Sequence, residues 1–296
     1  MAAALPEQLI AEELTKPVDP RVGEMAAAIA GRYGAAARAV LFYGSCLRQC
    51  ELEGLMLDFY LIVSDYRCAY GRGWLAFANR LIPPNVFPFE HRGLAAKYAV
   101  LSEADFAREC SLDARSTSVW ARFAQPSRLV WASGEPARQA VIAAVAQAPR
   151  TLVALTLPTM TQRRSDPLAV FRAGFALTYG AELRAERRER PESIVETDAA
   201  YYHAVGEAVL AEGAAPQAAP SAAARAWRRR SRKGKALTLL RLAKASTTFA
   251  GGIDYLAWKI NRHAGTKIEV KPWQRRWPLV AALTLLPRLL KRGAIR

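Results

Sequence analysis

AVLFYGS at residues 39–45 and LDFYLIVS at residues 57–64 are the two stretches that decide the fold. Each is a short run of β-branched, aromatic and aliphatic residues, which is typical of a buried strand. Gly44-Ser45 ends the first run, and Asp58 lies inside the second. Glycine lets a backbone approach a phosphate closely, serine offers donors to its oxygens, and a neighbouring carboxylate can hold Mg²⁺ against it. The pattern therefore indicates a triphosphate site, with a plain turn and a solvated strand acid as the alternatives.

The segments around these two strands predict an α+β fold. Prolines break a mainly helical pattern between residues 105 and 209, and an alanine- and proline-rich stretch at 211–224 is typical of a linker. Helices are predicted at 5–38 and 68–82, and further strands at 86–90, 95–102 and 127–132.

Charge is concentrated at one end of the 296-residue chain. Residues 221–296 contain nineteen Lys and Arg but two acids, a net charge of +17, whereas residues 1–220 sum to −1. A segment this basic predicts an anionic partner, either nucleic acid or an acidic lipid surface, or else a solvated tail. The four cysteines lack metal-ligand spacing and are predicted to be free thiols, and the three histidines form no cluster.

The basic end favours lipid over nucleic acid. Trp273 and Trp277 flank Arg275 and Arg276, and the aliphatic run 279–290 follows, too short to span a bilayer. Such a segment suits the headgroup region of an anionic membrane and has no role on RNA. The N-terminus lacks the basic start and apolar run of a signal peptide. We therefore expect a peripheral protein at the cytoplasmic face of the inner membrane.

A strand ending in Gly-Ser, followed about a dozen residues later by an acid in the next strand, resembles the DNA polymerase β-type nucleotidyltransferases. The order of segments along residues 40–235 resembles one group in particular, the mitochondrial-type phosphatidate cytidylyltransferases of the translocator assembly and maintenance family, which also have a lone acid where Asp58 stands. The segments that resemble this family, besides the two strands, are Ser64-Asp65, KYAVLS at 97–102, RFAQP at 122–126, YGAELR at 179–184 and RKG at 232–234.

The resemblance implies transfer of CMP from CTP to phosphatidic acid, with Mg²⁺, giving CDP-diacylglycerol and pyrophosphate. It implies a polymerase β-like nucleotidyltransferase domain at 1–132 and a helical or winged-helix-like domain at 133–210. Composition and charge predict that the linker at 211–224 and a membrane-associating region at 225–296 follow these domains. The implied roles are catalysis by Asp58, Lys97 and Glu182, nucleotide binding by Tyr43, Gly44 and Ser45, acceptor binding by Arg122, Tyr179 and Arg184, and metal binding by Asp58 and Asp65.

Three positions depart from these patterns. Tyr60 stands where nucleotidyltransferases usually have a second acid, Cys46 where this family usually has glycine, and Glu182 where it has aspartate. Two further hypotheses therefore remain open. One keeps nucleotide transfer with another acceptor, namely tRNA, another phosphorylated lipid or a protein; the other is a membrane-docking relative without catalysis.

Overall fold

The computed structural model describes residues 5–49, 52–181, 190–213, 219–248 and Pro272. Five strands form one mixed sheet in the order β3-β4-β2-β1-β5. Its central strands β2 and β4 are parallel, and every other neighbouring pair is antiparallel. The strands are β1 Ala37–Tyr43, β2 Met56–Val63, β3 Asn85–His91, β4 Leu94–Ser102 and β5 Ser127–Ala132.

All five strands were predicted from their apolar runs, to within two residues at each end. Helices surround the sheet, so the prediction of an α+β fold is confirmed at that level. The helices of the first half are α1 Pro6–Thr15, α2 Pro20–Gly31, α3 Ser45–Gln49, α4 Tyr66–Ala69, α5 Gly73–Leu81, α6 Glu103–Cys110 and α7 Trp120–Phe123. Those of the second half are α8 Glu135–Thr156, α9 Pro167–Ala181, α10 Arg190–Thr197, α11 Ala199–Ala211 and α12 Pro220–Thr248.

The single helix predicted at 68–82 is two helices, α4 and α5. Tyr70 leaves the helical conformation at φ −119° and ψ 123°, and its buried ring packs edge-on against Tyr33 at 6.1 Å. Gly71 and Gly73 follow, and glycine is a poor helix former. The break therefore combines two local glycines with a tertiary contact that the apolar pattern does not reveal.

Each face of the sheet covers its own hydrophobic core. Alternate residues of β1 and β2 point to opposite faces, so Leu41 and Tyr60 enter one core while Phe42 and Phe59 enter the other. The first core continues from α1 through α8, α9 and α11 to Trp227 of α12. It therefore crosses the domain boundary predicted at residue 133 without a break. The described residues between 133 and 210 contain helices and no strand.

Helix α8 with the 3-10 turn that follows it, Glu135–Thr159, has the length and composition of a membrane span, with a mean hydropathy of 1.6. Two thirds of that apolar window, 67%, is buried inside the protein. Val145, Leu152 and Val153 belong to the first core, where they pack with Phe171 and Phe175 of α9. This burial accounts for the apolar composition of α8 by packing within the fold.

The predicted linker at 211–224 is shorter than expected, because residues 220–224 already belong to α12. This helix is docked on the body of the protein. The buried Trp227 donates its indole N–H to the carbonyl of Leu155 at 2.9 Å, and its ring meets Trp120 edge-on at 6.4 Å. The beginning of the basic region is therefore part of the fold.

Candidate functional site

Gly44 lies where β1 ends beside Asp58 of β2. Tyr43 pairs with Asp58 in the antiparallel register, so the next residue passes directly over the carboxylate. Gly44 has φ +98°, and a Cβ atom there would lie 3.3 Å from Oδ2 of Asp58. Both the positive φ and the close approach require glycine. The Gly-Ser turn and the acid predicted from the sequence are therefore brought together.

Lys97 lies directly opposite Asp58 on the neighbouring strand. The parallel register of β2 and β4 pairs the two residues, and Nζ of Lys97 lies 2.8 Å from Oδ1 of Asp58. The side chains keep 23% and 21% of their exposure, respectively. A lysine in an otherwise apolar strand needs an anion unless its side chain reaches solvent. The structure supplies a carboxylate of the chain as one such anion.

Ser45 begins the short helix α3, and Cys46 turns into the second core. The thiol of Cys46 donates to the carbonyl of Met56 at 3.6 Å, and only 3% of the residue is exposed. Burial raises the pKa of Cys46, and the charge of Asp58 raises it further. Cys46, which stands where the family usually has glycine, is therefore a packed thiol that contacts the first residue of β2.

Tyr60 occupies the position where a second acid would stand beside Asp58. Residues 58 and 60 share one face of β2, but Tyr60 is 3% exposed and lies in an aromatic cluster. Its ring centroid is 5.3 Å from that of Tyr43 and 5.2 Å from that of Phe123. Burial raises the pKa of Tyr43 well above its ordinary value, and the nearby Asp58 adds to this. The site therefore has an apolar aromatic wall where a carboxylate was expected.

A cavity of about 170 Å³ opens beside this wall. Tyr43, Tyr60, Val86 and Ala99 form much of its lining. The rest of the lining includes Ser118 and four cationic side chains. These are Lys97 of β4, Arg122 of α7, and Arg241 and Lys244 of α12. These side chains give the cavity a positive potential, although the charge of Lys97 is balanced by Asp58.

Hydrogen bonds hold three of these cations in place. Arg122 donates to Oγ of Ser118 at 2.6 Å. Arg241 donates to the carbonyl of Pro83 at 2.8 Å, and Lys244 donates to the carbonyls of Pro84, at 2.8 Å, and Ile82. Burial lowers the pKa of Lys244 to about 7, and the charge of Arg241 contributes to this.

Asp65, predicted as a metal ligand with Asp58, lies at the opposite end of β2. Seven residues of nearly extended chain separate the two, which is about 20 Å at the rise of a strand. The Asp65 carboxylate caps α4 by accepting from the backbone N–H groups of Arg67 and Cys68 at 2.6 and 3.0 Å. A hydrogen bond with the Cys68 side chain, followed by these two backbone hydrogen bonds, lowers the pKa of Asp65. Because a strand carries its two ends apart, Asp65 does not share the site of Asp58, a question that the sequence left open.

Of the predicted acceptor residues beyond the sheet, the structure describes only Tyr179 and Arg122. Tyr179 is half-buried against the first core and does not line the cavity. Glu182 and Arg184 lie outside the described residues. The segments 179–181 and 232–234 meet, since Ser231 donates to the carbonyl of Gly180 at 2.9 Å and a side chain at Gly234 would collide with the carbonyl of Ala181.

Of the acids predicted for the site, Asp58 is the one that the described residues place beside Gly44 and Lys97. Among the described residues, no group of three or more His, Cys, Asp and Glu side chains is placed to enclose a metal ion. One carboxylate is compatible with Mg²⁺, which is often bound by one or two carboxylates together with substrate phosphates and water. The described part of the chain thus fits an ion carried largely by a nucleotide, with Asp58 as its ligand.

Searches against protein-family models and curated proteins find no match. The functional hypothesis therefore rests on the residues and geometry described above.

Arg241 and Lys244 were not predicted as site residues. The signal that could have found them is the seven-residue spacing of Trp227, Gly234 and Arg241, which puts all three on one face of a helix. Trp227 is buried, and that same face meets the body of the protein. The region contains so many arginines and lysines that Arg241 and Lys244 do not stand out in the sequence.

Proposed function

We propose that this protein is a nucleotidyltransferase that transfers CMP from CTP to phosphatidate, in the polymerase β-like manner that the family resemblance implies. The observation that supports this most is the convergence of Gly44, Asp58 and Lys97 at one end of the sheet, beside a cavity lined by cations. A mixed sheet with β1 antiparallel to β2 and β2 parallel to β4 is what brings them together.

In this proposal the triphosphate approaches the backbone at Gly44, where no side chain stands in the way. A phosphate oxygen of phosphatidate attacks the α-phosphorus of CTP, the new oxygen–phosphorus bond forms, and the bond to the β-phosphate breaks to release pyrophosphate. The acceptor phosphate is already ionised near neutral pH, so no strong general base is required. A metal ion held by Asp58 would neutralise charge on the departing pyrophosphate.

The cationic side chains stabilise the charge of the phosphates and orient them, and these two effects dominate phosphoryl transfer. Arg122 presents a planar guanidinium that can grip two phosphate oxygens at once. Lys97 can exchange its contact with Asp58 for a phosphate oxygen when the nucleotide binds. The aromatic wall of Tyr43 and Tyr60 lowers the local dielectric and so strengthens these interactions.

The decisive experiment is conversion of CTP and phosphatidic acid to CDP-diacylglycerol in mixed micelles with Mg²⁺, comparing wild type with Asp58→Ala. Product formed by the wild type and lost in the variant supports both the reaction and the role of the acid. If folded wild-type protein makes no CDP-diacylglycerol, the same assay with labelled nucleotides and tRNA, other phosphorylated lipids or protein acceptors tests the second hypothesis.

One observation favours a relative without catalysis. Asp58 is engaged by Lys97, and Tyr60 fills the place of a second acid, so the site could bind an anion without activating a nucleotide. Under this reading no nucleotide is transferred to any acceptor, and Asp58→Ala leaves vesicle binding unchanged.

A further inference from the structure

Three separate segments bring cations to the cavity beside Tyr60. Lys97 comes from β4 and Arg122 from α7, whereas Arg241 and Lys244 come from α12, more than a hundred residues later in the chain. The two α12 residues are three apart, so they project from one side of the helix. The cavity is therefore closed on one side by the helix that begins the basic region.

The position of α12 is determined by contacts far from its charges. Trp227 is anchored by its hydrogen bond to Leu155, Ser231 by its hydrogen bond to Gly180, and Gly234 by close packing on Ala181. At the other end, Arg241 and Lys244 bind the carbonyls of residues 82–84, and Arg241 also reaches Oγ of Ser116 at 3.2 Å. The helix is held along its length, so its two cations are pre-positioned.

We propose that Arg241 and Lys244, together with Arg122, bind a phosphate ester anion in this cavity, so that α12 completes the substrate site. The shared chemistry is a phosphate group, carried either by the lipid acceptor or by the nucleotide. The identity of the molecule that carries the phosphate group, lipid acceptor or nucleotide, rests on the proposed function. The binding of a phosphate group to this cavity does not.

The chemistry of the cavity fits such an anion better than a carboxylate metal cage. Two guanidinium groups supply planar pairs of donors, and Lys244 adds a compact charge. The apolar wall of Tyr60, Val86 and Ala99 lowers the local dielectric, which strengthens the contacts with a phosphate. An anion beside Lys244 also offsets the burial and the Arg241 charge that lower its pKa, so binding draws a proton onto the amine near and above pH 7.

The test is calorimetric titration of the full chain with three probes, namely inorganic phosphate, CTP, and short-chain phosphatidate below its micellar concentration. Arg241→Gln and Lys244→Met are compared with Arg229→Gln and Lys233→Met, which remove the same charges from exposed positions of the same helix. We expect each cavity variant to weaken phosphate binding about ten-fold or more, and each control less than two-fold. Circular dichroism melting confirms that all variants are folded.

The three probes distinguish the sources of the phosphate. If the cavity variants bind phosphatidate more weakly but CTP normally, the cavity holds the acceptor phosphate. If they bind CTP more weakly but phosphatidate normally, it holds a nucleotide phosphate. At pH 7.5, titration in two buffers of different ionisation enthalpy should show proton uptake by wild type and none by Lys244→Met. If the folded cavity variants bind all three probes as wild type does, the proposal is overturned. Absence of any enzymatic turnover leaves this measurement unaffected.

A different observation concerns the outer face of α5. Trp74, Phe77 and Leu81 are 50%, 68% and 61% exposed, the largest apolar side chains on this helix. At 100° per residue they fall within an arc of about 60°, whereas Ala76 and Asn79 face the protein. Three large apolar residues on one exposed stripe mark an interaction surface.

Charge around this stripe indicates which partner it fits. Arg72, just before α5, and Arg80 on the helix are exposed, and the exposed Arg115 donates to the carbonyl of Arg80 at 3.4 Å, at the C-terminal end of the helix. An aromatic stripe bordered by arginines suits the interface of a bilayer that contains anionic lipid. Pro84, only three residues beyond Leu81, lines the cationic cavity.

We infer that α5 inserts Trp74, Phe77 and Leu81 into an anionic membrane surface and so turns the mouth of the cavity toward the lipid. This contact is separate from the basic C-terminal region, and it rests on the proposed function only for the identity of the lipid that enters the cavity.

Vesicle co-sedimentation of the full chain tests the inference, using phosphatidylglycerol-containing vesicles and pure phosphatidylcholine. Phe77→Ser combined with Leu81→Ser should weaken binding to the anionic vesicles about ten-fold, whereas Leu5→Ser, at a residue 57% exposed just before α1, should not. Brominated lipid should quench wild-type tryptophan fluorescence more strongly than that of Trp74→Phe. Unchanged vesicle binding by the folded double variant overturns the inference, as does a wild-type dimer that the same substitutions dissociate.

Discussion

Nζ of Lys97 lies 2.8 Å from Oδ1 of Asp58, across the one parallel strand pair of the sheet. Because the register of β2 and β4 sets this pair, it is formed before any ligand binds. The pair keeps a partly buried carboxylate and a partly buried ammonium satisfied together, and either partner can be recruited by a nucleotide. Asp58 and Lys97 therefore contribute both to the stability of the sheet and to the proposed reaction.

Exchanging the two residues separates these roles. In the double variant Asp58→Lys with Lys97→Asp the ion pair persists, so we expect most of the stability that Asp58→Ala loses to return. Nucleotide transfer should stay at least 100-fold below wild type, because the carboxylate has left the strand beside Gly44. Denaturant unfolding and the transfer assay measure the two effects. Recovery of activity together with stability would show that the pair is structural only.

Substitution of Gly44 tests the close approach of the turn to Asp58. Gly44→Ala combines a strained φ of +98° with a Cβ atom 3.3 Å from Oδ2, so we expect about 1–3 kcal/mol of destabilisation and loss of transfer activity. Gly54→Ala is the matched control, since Gly54 also has positive φ, +69°, but open space around its Cβ position. It should cost about 1 kcal/mol and leave activity intact. Equal loss of activity in both variants would contradict a special role for Gly44.

Lys244 makes stability depend on pH. Its pKa is lowered to about 7 in the folded protein, from 10.5, so the folded state binds fewer protons than the unfolded state between these values. Stability therefore rises with pH from about 7 to about 10, by at most about 1.4 kcal/mol per pH unit, and the full penalty remains below pH 7. Lys244→Met should remove this slope. Urea unfolding at several pH values measures it, and parallel curves for wild type and variant would refute the burial of this amine.

Deletion of residues 270–296 tests the membrane role predicted for the basic end. The deletion removes Trp273, Trp277 and the aliphatic run 279–290 but leaves α12 and the cavity in place. We expect flotation with anionic liposomes to fall several-fold, because interfacial tryptophans and basic residues near the surface both contribute to binding. Phosphate binding in the cavity should be retained. Undiminished flotation would place membrane binding elsewhere on the chain.

The strands were predictable because their information is local. Apolar runs such as 39–43 and 57–63 indicate buried strands directly, and Gly44-Ser45 with Asp58 is a pattern confined to about twenty residues. The role of Tyr60 was only partly predictable. The sequence shows that an acid is missing at this position, but not that the rings of Tyr43 and Phe123 pack against the tyrosine. The break between α4 and α5 was missed for the same reason, because the contact of Tyr70 with Tyr33 spans the fold.

By itself the sequence determined the strand segments, the Gly-Ser turn, the lone acid and the uneven distribution of charge, since each depends on residues close together in the chain. The tertiary structure decided which of the candidate residues meet. It placed Lys97 against Asp58 through the strand register, carried Asp65 to the far end of β2, and folded Arg241 and Lys244 back onto the cavity. The residues brought together are 39 positions apart for Asp58 and Lys97 and up to 201 apart for Tyr43 and Lys244 around the cavity, and strand pairing and the docking of α12 determine their distances in space.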